Sequence, residues 1–331
     1  MRLGLFSTIQ SRPGGEAEAL RRFLRHAERA EAGGFESVWL AERHFTAYGT
    51  IGNPVVLASA LAQRTSRIRI GFAALILALH NPFRLAGELA VLDVLSGGRL
   101  LVGVGSGRAG VEARALGLTF DAPHALFDEA VALLPRIWRG EAFDHAGPHF
   151  PGHFPGTRLR PEQRPHPPLL RAIVHDDSAV AAARARMPML LGRFPRARLE
   201  PTVDIYRRTL AETGASEEEI SGLLRRSAAL RHVVIAPKER EAAAVAREAM
   251  SGYIDRAHEV NEPHELDDFL ERACVYGPAG AVAERLAEVA GLGLGTAIAW
   301  VDFGGIGPRH ADRTLESLIT EVLPGVESAG A

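Results

Sequence analysis

The sequence of 331 residues predicts an α/β fold, a (β/α)8 TIM barrel, from three observations. Short apolar runs alternate with longer segments whose apolar residues recur at helical spacing. Eight such runs occur, and eight parallel strands joined by helices close most naturally into a barrel. Glycine-rich or polar residues follow several runs, at the strand ends where barrels carry their ligand-binding loops.

The predicted strands are short and aliphatic, as expected of strands that are buried on both faces. In chain order they are Arg2–Ile9, Ser37–Ala41, Arg69–Leu75, Leu100–Val104, Leu169–Val174, Met187–Leu191, Leu230–Ala236 and Thr296–Asp302. The predicted helices each show an apolar face. In chain order they are Glu16–Ala32, Pro54–Arg64, Pro82–Leu95, Leu126–Trp138, Ser178–Ala185, Glu200–Glu212, Ala242–His258, Ala281–Ala290 and Arg313–Leu323.

The helix before the fourth strand has the clearest boundaries. Asn81 is a good N-cap, and Pro82 suits the first helical position. Gly97 ends the helix. The following strand ends in the loop Gly105–Gly107, where the missing side chains let a ligand approach the backbone closely.

Three stretches interrupt the alternation of strands and helices. Phe143–Pro168 is rich in proline, glycine and histidine, while Gly192–Glu217 and Glu259–Ala273 are polar and irregular. Loops of this length in a barrel are often lids. We therefore expect one domain over residues 1–331, with loop insertions at the carboxyl-terminal face of the barrel.

The composition predicts a soluble, cytoplasmic protein. Hydrophobic residues make up 47% of the chain and charged residues 24%, which is ordinary for a globular protein. A net charge of −2 gives no electrostatic footprint for nucleic acid or an anionic membrane, and no apolar run is long enough to span a bilayer. Cys274 is the only cysteine, which excludes an intrachain disulfide and a cysteine-based metal site.

The tripeptide Glu42-Arg43-His44 follows the second predicted strand, at the catalytic rim of a barrel. His44 can act there as a general base, or donate a hydrogen bond to a bound anion or peroxide. The alternative is a loop histidine with a structural hydrogen bond.

The sequence Gly103-Val104-Gly105-Ser106-Gly107 resembles a dinucleotide motif only in part. Its third glycine is replaced by Arg108, and it lies on the fourth strand instead of the first. We interpret it as an anion-binding loop with Ser106 and Arg108 as donors. The alternative is that the glycines serve close packing alone.

Ser178 follows the fifth strand, at the start of a predicted helix. Its hydroxyl can cap that helix or bind a phosphate. His145, His149 and His153 are four residues apart, but the prolines between them exclude a helix, so we expect no metal site.

Asp93 and Arg99 flank the turn before the fourth strand. This turn lies at the amino-terminal face of the predicted barrel, which favours a structural ion pair between the two side chains over a catalytic role.

Several blocks of sequence resemble the bacterial luciferase-like family of flavin-dependent monooxygenases. They occur in the same order along nearly the whole chain: MRLGLF, GFESVWLAERHFTAYGTIGNP, GFAALIL, NPFRLAGELAVLDVLSGGRLLVGVGSG, RMPMLLG and VYGPAGAVAERL. The resemblance implies a (β/α)8 barrel that receives FMNH2 from a separate flavin reductase. With O2 it would form a flavin C4a-hydroperoxide and oxygenate a small or medium-sized organic substrate of secondary metabolism or catabolism. It also implies a homodimer.

The resemblance assigns roles to individual residues. It places Ala73 and Ala74 at a non-prolyl cis peptide under the flavin ring, and Phe6 and Phe194 at the substrate pocket. We expect His44, which matches the second histidine of the family's pair, to be the acid/base or peroxide-stabilising group, with Glu42 and Arg43 setting its electrostatics. The remaining cofactor contacts are expected from Gly105, Ser106, Gly107, Arg108, Val174, His175 and Ser178.

The chain departs from the family pattern at two of these positions. Arg43 stands where luciferase has the histidine of catalytic importance, and Ser106 stands where it has a phosphate-binding arginine. We therefore expect oxygenation of a substrate other than a long-chain aldehyde, and Arg43 can meet an anionic substrate or a peroxide. An F420-dependent oxidoreductase and a non-catalytic flavin-binding protein on the same fold remain alternatives.

Overall fold

Eight parallel strands form a closed barrel in the computed structural model, which describes residues 1–10, 14–107, 111–118, 123–192, 196–257 and 265–328. Each barrel strand pairs with the next one along the chain, and the last returns to the first. Three further strands lie outside this ring. In chain order the strands are β1 (Arg2–Ser7), β2 (Ser37–Leu40), β3 (Arg69–Ile76), β4 (Leu100–Gly105), β5 (Phe143–His145), β6 (Gly152–Phe154), β7 (Leu169–Ile173), β8 (Met189–Leu191), β9 (Ala228–Ile235), β10 (Cys274–Gly277) and β11 (Thr296–Trp300).

Helices surround the barrel, and a 3-10 turn at Leu77–Leu79 and a π-helical segment at Leu318–Val322 accompany them. In chain order the α-helices are α1 (Glu16–Ala32), α2 (Pro54–Arg64), α3 (Pro82–Leu95), α4 (Val111–Ala115), α5 (Pro123–Trp138), α6 (Asp176–Arg184), α7 (Arg196–Glu212), α8 (Glu217–Arg225), α9 (Glu239–Ala257), α10 (Leu266–Ala273), α11 (Ala279–Gly291), α12 (Pro308–Ser317) and α13 (Leu323–Ser328). Within the described ranges, none of them is long and apolar enough to cross a membrane.

The predicted barrel is confirmed, and so is the helix predicted over Glu200–Glu212, which as α7 begins four residues earlier, at Arg196. The helix α8 was not predicted; it begins after Ser216, whose hydroxyl accepts a hydrogen bond from the Glu219 amide at 3.2 Å. The stretch Glu259–Ala273 ends in α10, while its first residues lie outside the described part of the chain. The short strand β10, parallel to the second half of β9, was also not predicted.

The proline-rich insertion contains the antiparallel hairpin β5–β6 and lies at the amino-terminal end of the barrel. Gln163, at its far end, donates from its side-chain amide to Asp93 and to the Leu100 carbonyl, both at 2.8 Å. Since Leu100 begins β4, the insertion packs against the face opposite the predicted ligand-binding loops.

The expected ion pair between Asp93 and Arg99 is wrong, because the two side chains bind different partners. Asp93 accepts hydrogen bonds from the backbone and side chain of Gln163. The Arg99 guanidinium donates to backbone carbonyls of the turn before β3 and of its own turn, among them Ile68 at 2.8 Å. The charge of Asp93 is therefore compensated by hydrogen bonds from a neutral amide.

Two halves of the barrel interior differ in the size of their side chains. Under α9, large aromatic residues fill the space: Trp300 stacks on His232 and meets Phe6 edge-on, each at 4.8 Å between ring centroids. Near the ends of β3, β4 and β7 several side chains are small and partly exposed instead, as at Ala73 and Ala74. The β3–β7 side of the barrel mouth therefore carries less side-chain bulk.

Candidate active site

The loop after β2 carries Glu42, which is only 2% exposed, into the edge of the barrel mouth. Its amide donates to the Ala74 carbonyl at 3.3 Å, and its carboxylate accepts from the Ile76 amide at 2.7 Å. Both contacts are to the end of β3. The loop is thus fixed to the neighbouring strand by backbone and side chain together.

Two histidines share the Glu42 carboxylate. His44 Nε2 lies 2.8 Å from Oε1, and His80 Nε2 lies 2.9 and 3.0 Å from the two oxygens. Burial by itself would raise the pKa of Glu42, but the hydrogen bonds from both histidines and from Ile76 outweigh it and lower the pKa to about 2. Glu42 is therefore a carboxylate at any physiological pH.

The hydrogen bond between His44 and Glu42 shifts the pKa of the two groups in opposite directions. This bond raises the pKa of His44, against the effect of partial burial. A histidine with a raised pKa carries a proton over more of the neutral range. This arrangement suits an acid that delivers a proton or stabilises a developing negative charge.

A second carboxylate, Glu112 of α4, holds the same loop from the other side. It accepts a hydrogen bond from the His44 amide at 2.9 Å, and its other oxygen lies 3.6 Å from an Arg43 nitrogen. The Arg43 guanidinium also lies over the Tyr48 ring, 5.0 Å from its centroid. Arg43 and His44 are thereby held in fixed positions.

A cleft of about 800 Å³ opens beside this loop. Its lining residues come mainly from the β2–α2 segment and from the end of α9: Glu16, Arg43, His44, Phe45, Thr46, Ala47, Gly49, Thr50, Gly52, Asp255 and Arg256. Phe45 is 65% exposed at its rim. The cleft gives a molecule from solvent access to His44.

The predicted cis peptide between Ala73 and Ala74 is confirmed. It lies where the pairing of β3 with β4 shifts register, between Phe72 and Leu75. Gly103 of β4 permits this close approach, because a Cβ there would lie 2.0 Å from the Phe72 carbonyl oxygen. Close packing therefore accounts for one glycine of the predicted anion loop.

The rest of that loop has mixed roles. Gly107 has a φ of +74°, and an added Cβ would lie 2.4 Å from the Ile76 side chain, so local geometry requires glycine here. Ser106 is only partly exposed, and its hydroxyl lies 3.4 Å from the Gly107 carbonyl. Arg108, like the predicted substrate contact Phe194, lies outside the described residues.

The start of α6 shows the predicted helix cap. The Ser178 hydroxyl accepts hydrogen bonds from the Val174 and His175 amides, each at 3.1 Å. Asp176 turns towards Arg198 of α7, at 2.7 Å. Val174 is 49% exposed, so this end of the site remains accessible.

The predicted residues thus fall into three groups within one barrel mouth. Glu42, Arg43 and His44 lie at one edge, Ala73 and Ala74 with the β4 loop in the middle, and the start of α6 on the far side, in the order β2, β3, β4, β7 of the sheet. Phe6 is 3% exposed and lies deeper, against Trp300.

Two functional candidates, His80 and Glu112, were missed because their partners lie far away in sequence. They bind the loop around His44 from 38 and 68 residues away. His80 directly precedes the predicted cap of α3, and its position at the start of a barrel helix was the one available signal.

Asp302 is a third missed candidate, directly after β11. Its carboxyl group accepts hydrogen bonds from the Ser7 hydroxyl at 3.0 and 3.1 Å and from the Trp300 indole at 3.1 Å. Complete burial outweighs these contacts and raises the pKa of Asp302 to about 7.

The spaced histidines of the insertion bind separate carboxylates. His145 contacts Glu129 at 2.9 Å, and His153 contacts Asp144 at 2.7 Å. Across the described ranges, no three histidine, cysteine, aspartate or glutamate side chains converge as metal ligands do.

Known proteins share both the sequence pattern and the architecture. A family model described as luciferase-like monooxygenase matches residues 1–296. The chain is 24% identical to the oxygenase component of flavin-dependent trigonelline monooxygenase from Acinetobacter baylyi, over 89% of this chain and 86% of that protein. Two other curated relatives, both from Sinorhizobium fredii, are 35% and 32% identical, and the chain spans about half of their length.

Solved structures give the same result for the fold. The monooxygenase RslO1 from Streptomyces bottropensis superposes with a TM-score of 0.84 at 28% identity, covering 98% of this chain and 99% of that one. The oxygenating constituent of 3,6-diketocamphane monooxygenase from Pseudomonas putida, in complex with FMN, gives 0.82 at 20% identity and covers 98% of both chains. At that lower identity the likeness concerns the fold alone.

Proposed function

Because the chain belongs to the family of luciferase-like monooxygenases, we propose that it is an FMNH2-dependent monooxygenase acting on a small or medium-sized organic substrate. The observation that carries this proposal is the position of His44. It lies at an accessible cleft, is hydrogen-bonded to a buried carboxylate, and belongs to a loop bonded directly to the cis peptide Ala73–Ala74. A proton-handling group is thereby placed next to the proposed flavin position.

The flavin ring would lie in the middle of the barrel mouth. Small residues meet there: a Cβ added to Gly105 would lie 3.5 Å from the Ala172 Cβ and 3.6 Å from the Ala74 Cβ, which are ordinary contact distances. Because Gly105 has no side chain, a planar ligand could approach the backbone of β4 closely. Ala73, Ala74, Gly105, Ser106 and Gly107 would hold the ring.

The phosphate of FMN would lie at the start of α6. A helix start attracts anions, and Val174, His175 and Ser178 line this one. The Val174 and His175 amides donate to the Ser178 hydroxyl, so the group that would turn to the phosphate is this hydroxyl, which now donates to the His175 carbonyl. Asp176 does not oppose such a ligand, since its carboxylate is paired with Arg198. Bound FMNH2 would supply the electrons with which O2 is reduced and one oxygen atom is transferred to the substrate.

The protein's own residues would handle the proton and hold the substrate. Glu42 stays anionic and stabilises protonated His44, which can then donate a proton or a hydrogen bond to an oxygen that gains negative charge. Arg43, held by Glu112, adds a fixed positive charge beside it. The cleft next to both would receive the substrate.

Two protein partners belong to the proposal. A separate reductase would supply FMNH2, in keeping with the Acinetobacter relative, which is the oxygenase component of a flavin-dependent monooxygenase. A homodimer would cover the apolar side chains that α2 and α3 expose, namely Val56, Val91, Val94 and Leu95, which are 40–66% exposed.

Mixing the protein with photoreduced FMN under isotopically labelled O2 tests the function. We expect binding of FMNH2, a changed rate of its reoxidation, and label in the product of at least one compound of a substrate panel. Reoxidation at the rate of free FMNH2, with no labelled product, contradicts the proposal. Tight binding of F420 in preference to FMN would indicate hydride transfer instead, and flavin binding without turnover a non-catalytic protein.

A further inference from the structure

His80 contacts the same carboxylate as His44 but comes from a different part of the chain. It follows the 3-10 turn Leu77–Leu79, and its amide donates to the Leu77 carbonyl at 3.1 Å. Its side chain is 23% exposed, while that of Glu42 is 1% exposed. The carboxylate therefore lies between two imidazoles and is shielded from water.

The shared carboxylate determines which nitrogen of His44 is free. An ionised carboxylate only accepts hydrogen bonds, so the Nε2 atoms of both His44 and His80 must carry a hydrogen. The atom of His44 that can gain or lose a proton is then Nδ1. Nδ1 makes no hydrogen bond to any described residue, and a Cβ added to Gly52 in the lining of the cleft would lie 3.6 Å from it.

We propose that His80 is a positioning residue for His44: through the shared Glu42 carboxylate it keeps Nε2 of His44 turned inward, and it limits how strongly Glu42 holds the proton on Nδ1. The role of Nδ1 in delivering a proton to a molecule in the cleft rests on the proposed function. The orientation of His44 and its coupling to His80 rest on the hydrogen bonds to Glu42 and are independent of that function.

The coupling follows from the charges around the carboxylate. While His80 donates to Glu42, part of the carboxylate's hydrogen-bonding capacity is not available to His44. A side chain in place of His80 that cannot donate a hydrogen bond leaves the Glu42 carboxylate to His44 alone, which strengthens the hydrogen bond between them and raises the pKa of His44. The other charged groups that face His44 or its cleft are Arg43 on its own loop, Glu112 from α4, Glu16 from α1, and Asp255 and Arg256 from α9.

Nuclear magnetic resonance of the flavin-free full chain, labelled at histidine, tests the proposal without any activity measurement. His44→Gln identifies the His44 signal, and nitrogen shifts at high pH report its tautomer. We expect Nε2–H in the parent protein. In His80→Leu, which cannot donate to Glu42, we expect the pKa of His44 to rise by about one pH unit.

The matched control is His153→Leu, which removes an exposed histidine that is also paired with a carboxylate, Asp144. It must leave the His44 titration unchanged. If His80→Leu does not fold, as judged by circular dichroism, His80→Ala is used with the same expectation. A His44 pKa that does not rise on loss of His80, or an Nδ1–H tautomer in the parent, overturns the proposal.

The pH dependence of FMNH2-driven O2 consumption gives the second readout. In His80→Leu its midpoint should move upward together with the His44 pKa, whereas a merely structural role would lower the rate without moving the midpoint. O2 consumption in the presence of the parent protein that equals that of free FMNH2 would refute the proposed function and leave the magnetic resonance result standing.

Discussion

Glu42 and Asp302 are both buried carboxyl groups at the carboxyl ends of barrel strands, yet their pKa values shift in opposite directions. Two imidazoles and an amide donate to Glu42 and lower its pKa to about 2, whereas a serine hydroxyl and an indole leave the pKa of Asp302 raised to about 7. Both groups lose water on folding, so burial does not separate them. The difference shows that the number and charge of the donors decide whether a buried acid is ionised.

The largest effect that we expect is on turnover, when His44, a partner of the ionised Glu42 carboxylate, is removed. His44→Ala removes the group through which Glu42 acts on a bound molecule, and we expect turnover to fall at least ~10²-fold, as is usual when an acid/base group is lost. Labelled product formed per enzyme measures this, with His153→Ala as the control. Turnover equal to that of the control would exclude His44 from the reaction.

Glu42→Gln tests whether the ionised Glu42 carboxylate stabilises the folded protein, measured as the free energy of unfolding. The folded pKa of Glu42 lies below its ordinary value of 4.5, so its charge stabilises the fold above pH 4.5, and this stabilisation is lost as the pH falls towards 2. We expect the variant to be less stable by about 3 kcal/mol at pH 7, and the difference to shrink on acidification. Urea unfolding at several pH values measures it, and a difference that does not change with pH would show that the charge has no such role.

Asp302→Asn tests the raised pKa of Asp302, and its effect on stability should change with pH in the opposite direction to that of Glu42→Gln. The folded pKa lies above the ordinary value of 3.8, so the parent protein loses stability as the pH rises from about 4 to about 7, while the variant does not. Relative to the parent, the variant should gain on the order of 3 kcal/mol over this range. The same unfolding series measures it, and parallel curves for variant and parent would contradict the neutral state of Asp302.

The fold could be predicted because it depends on local patterns that recur. Alternating apolar runs and helical spacing identified the eight barrel strands, with ends displaced by at most two residues. The helix α8 was missed because its polar sequence hides a short apolar face, Ile220, Leu223 and Leu224, that is recognised once its position against the barrel is known.

The site could be predicted only where it follows a strand directly. His44, Ala73 and Gly105 come at the ends of β2, β3 and β4, so the topology alone brings them together. His80 and Glu112 act through contacts with Glu42 and with the His44 amide that no spacing encodes. Asp302 does follow a strand, but its charge state depends on burial and donors that only the folded structure defines.

The two halves of the barrel differ in side-chain size, and they therefore differ in how well they would tolerate substitutions. On the β3–β7 side, a larger side chain in place of Ala74 or Gly105 would occupy the proposed cofactor position, so we expect substitutions there to abolish cofactor binding. Under α9, a smaller side chain in place of Trp300 or Phe6 would open space, and each such substitution would cost a few kcal/mol in stability. Descendants of this chain can therefore acquire new substrates in one half of the barrel while the other half stays unchanged.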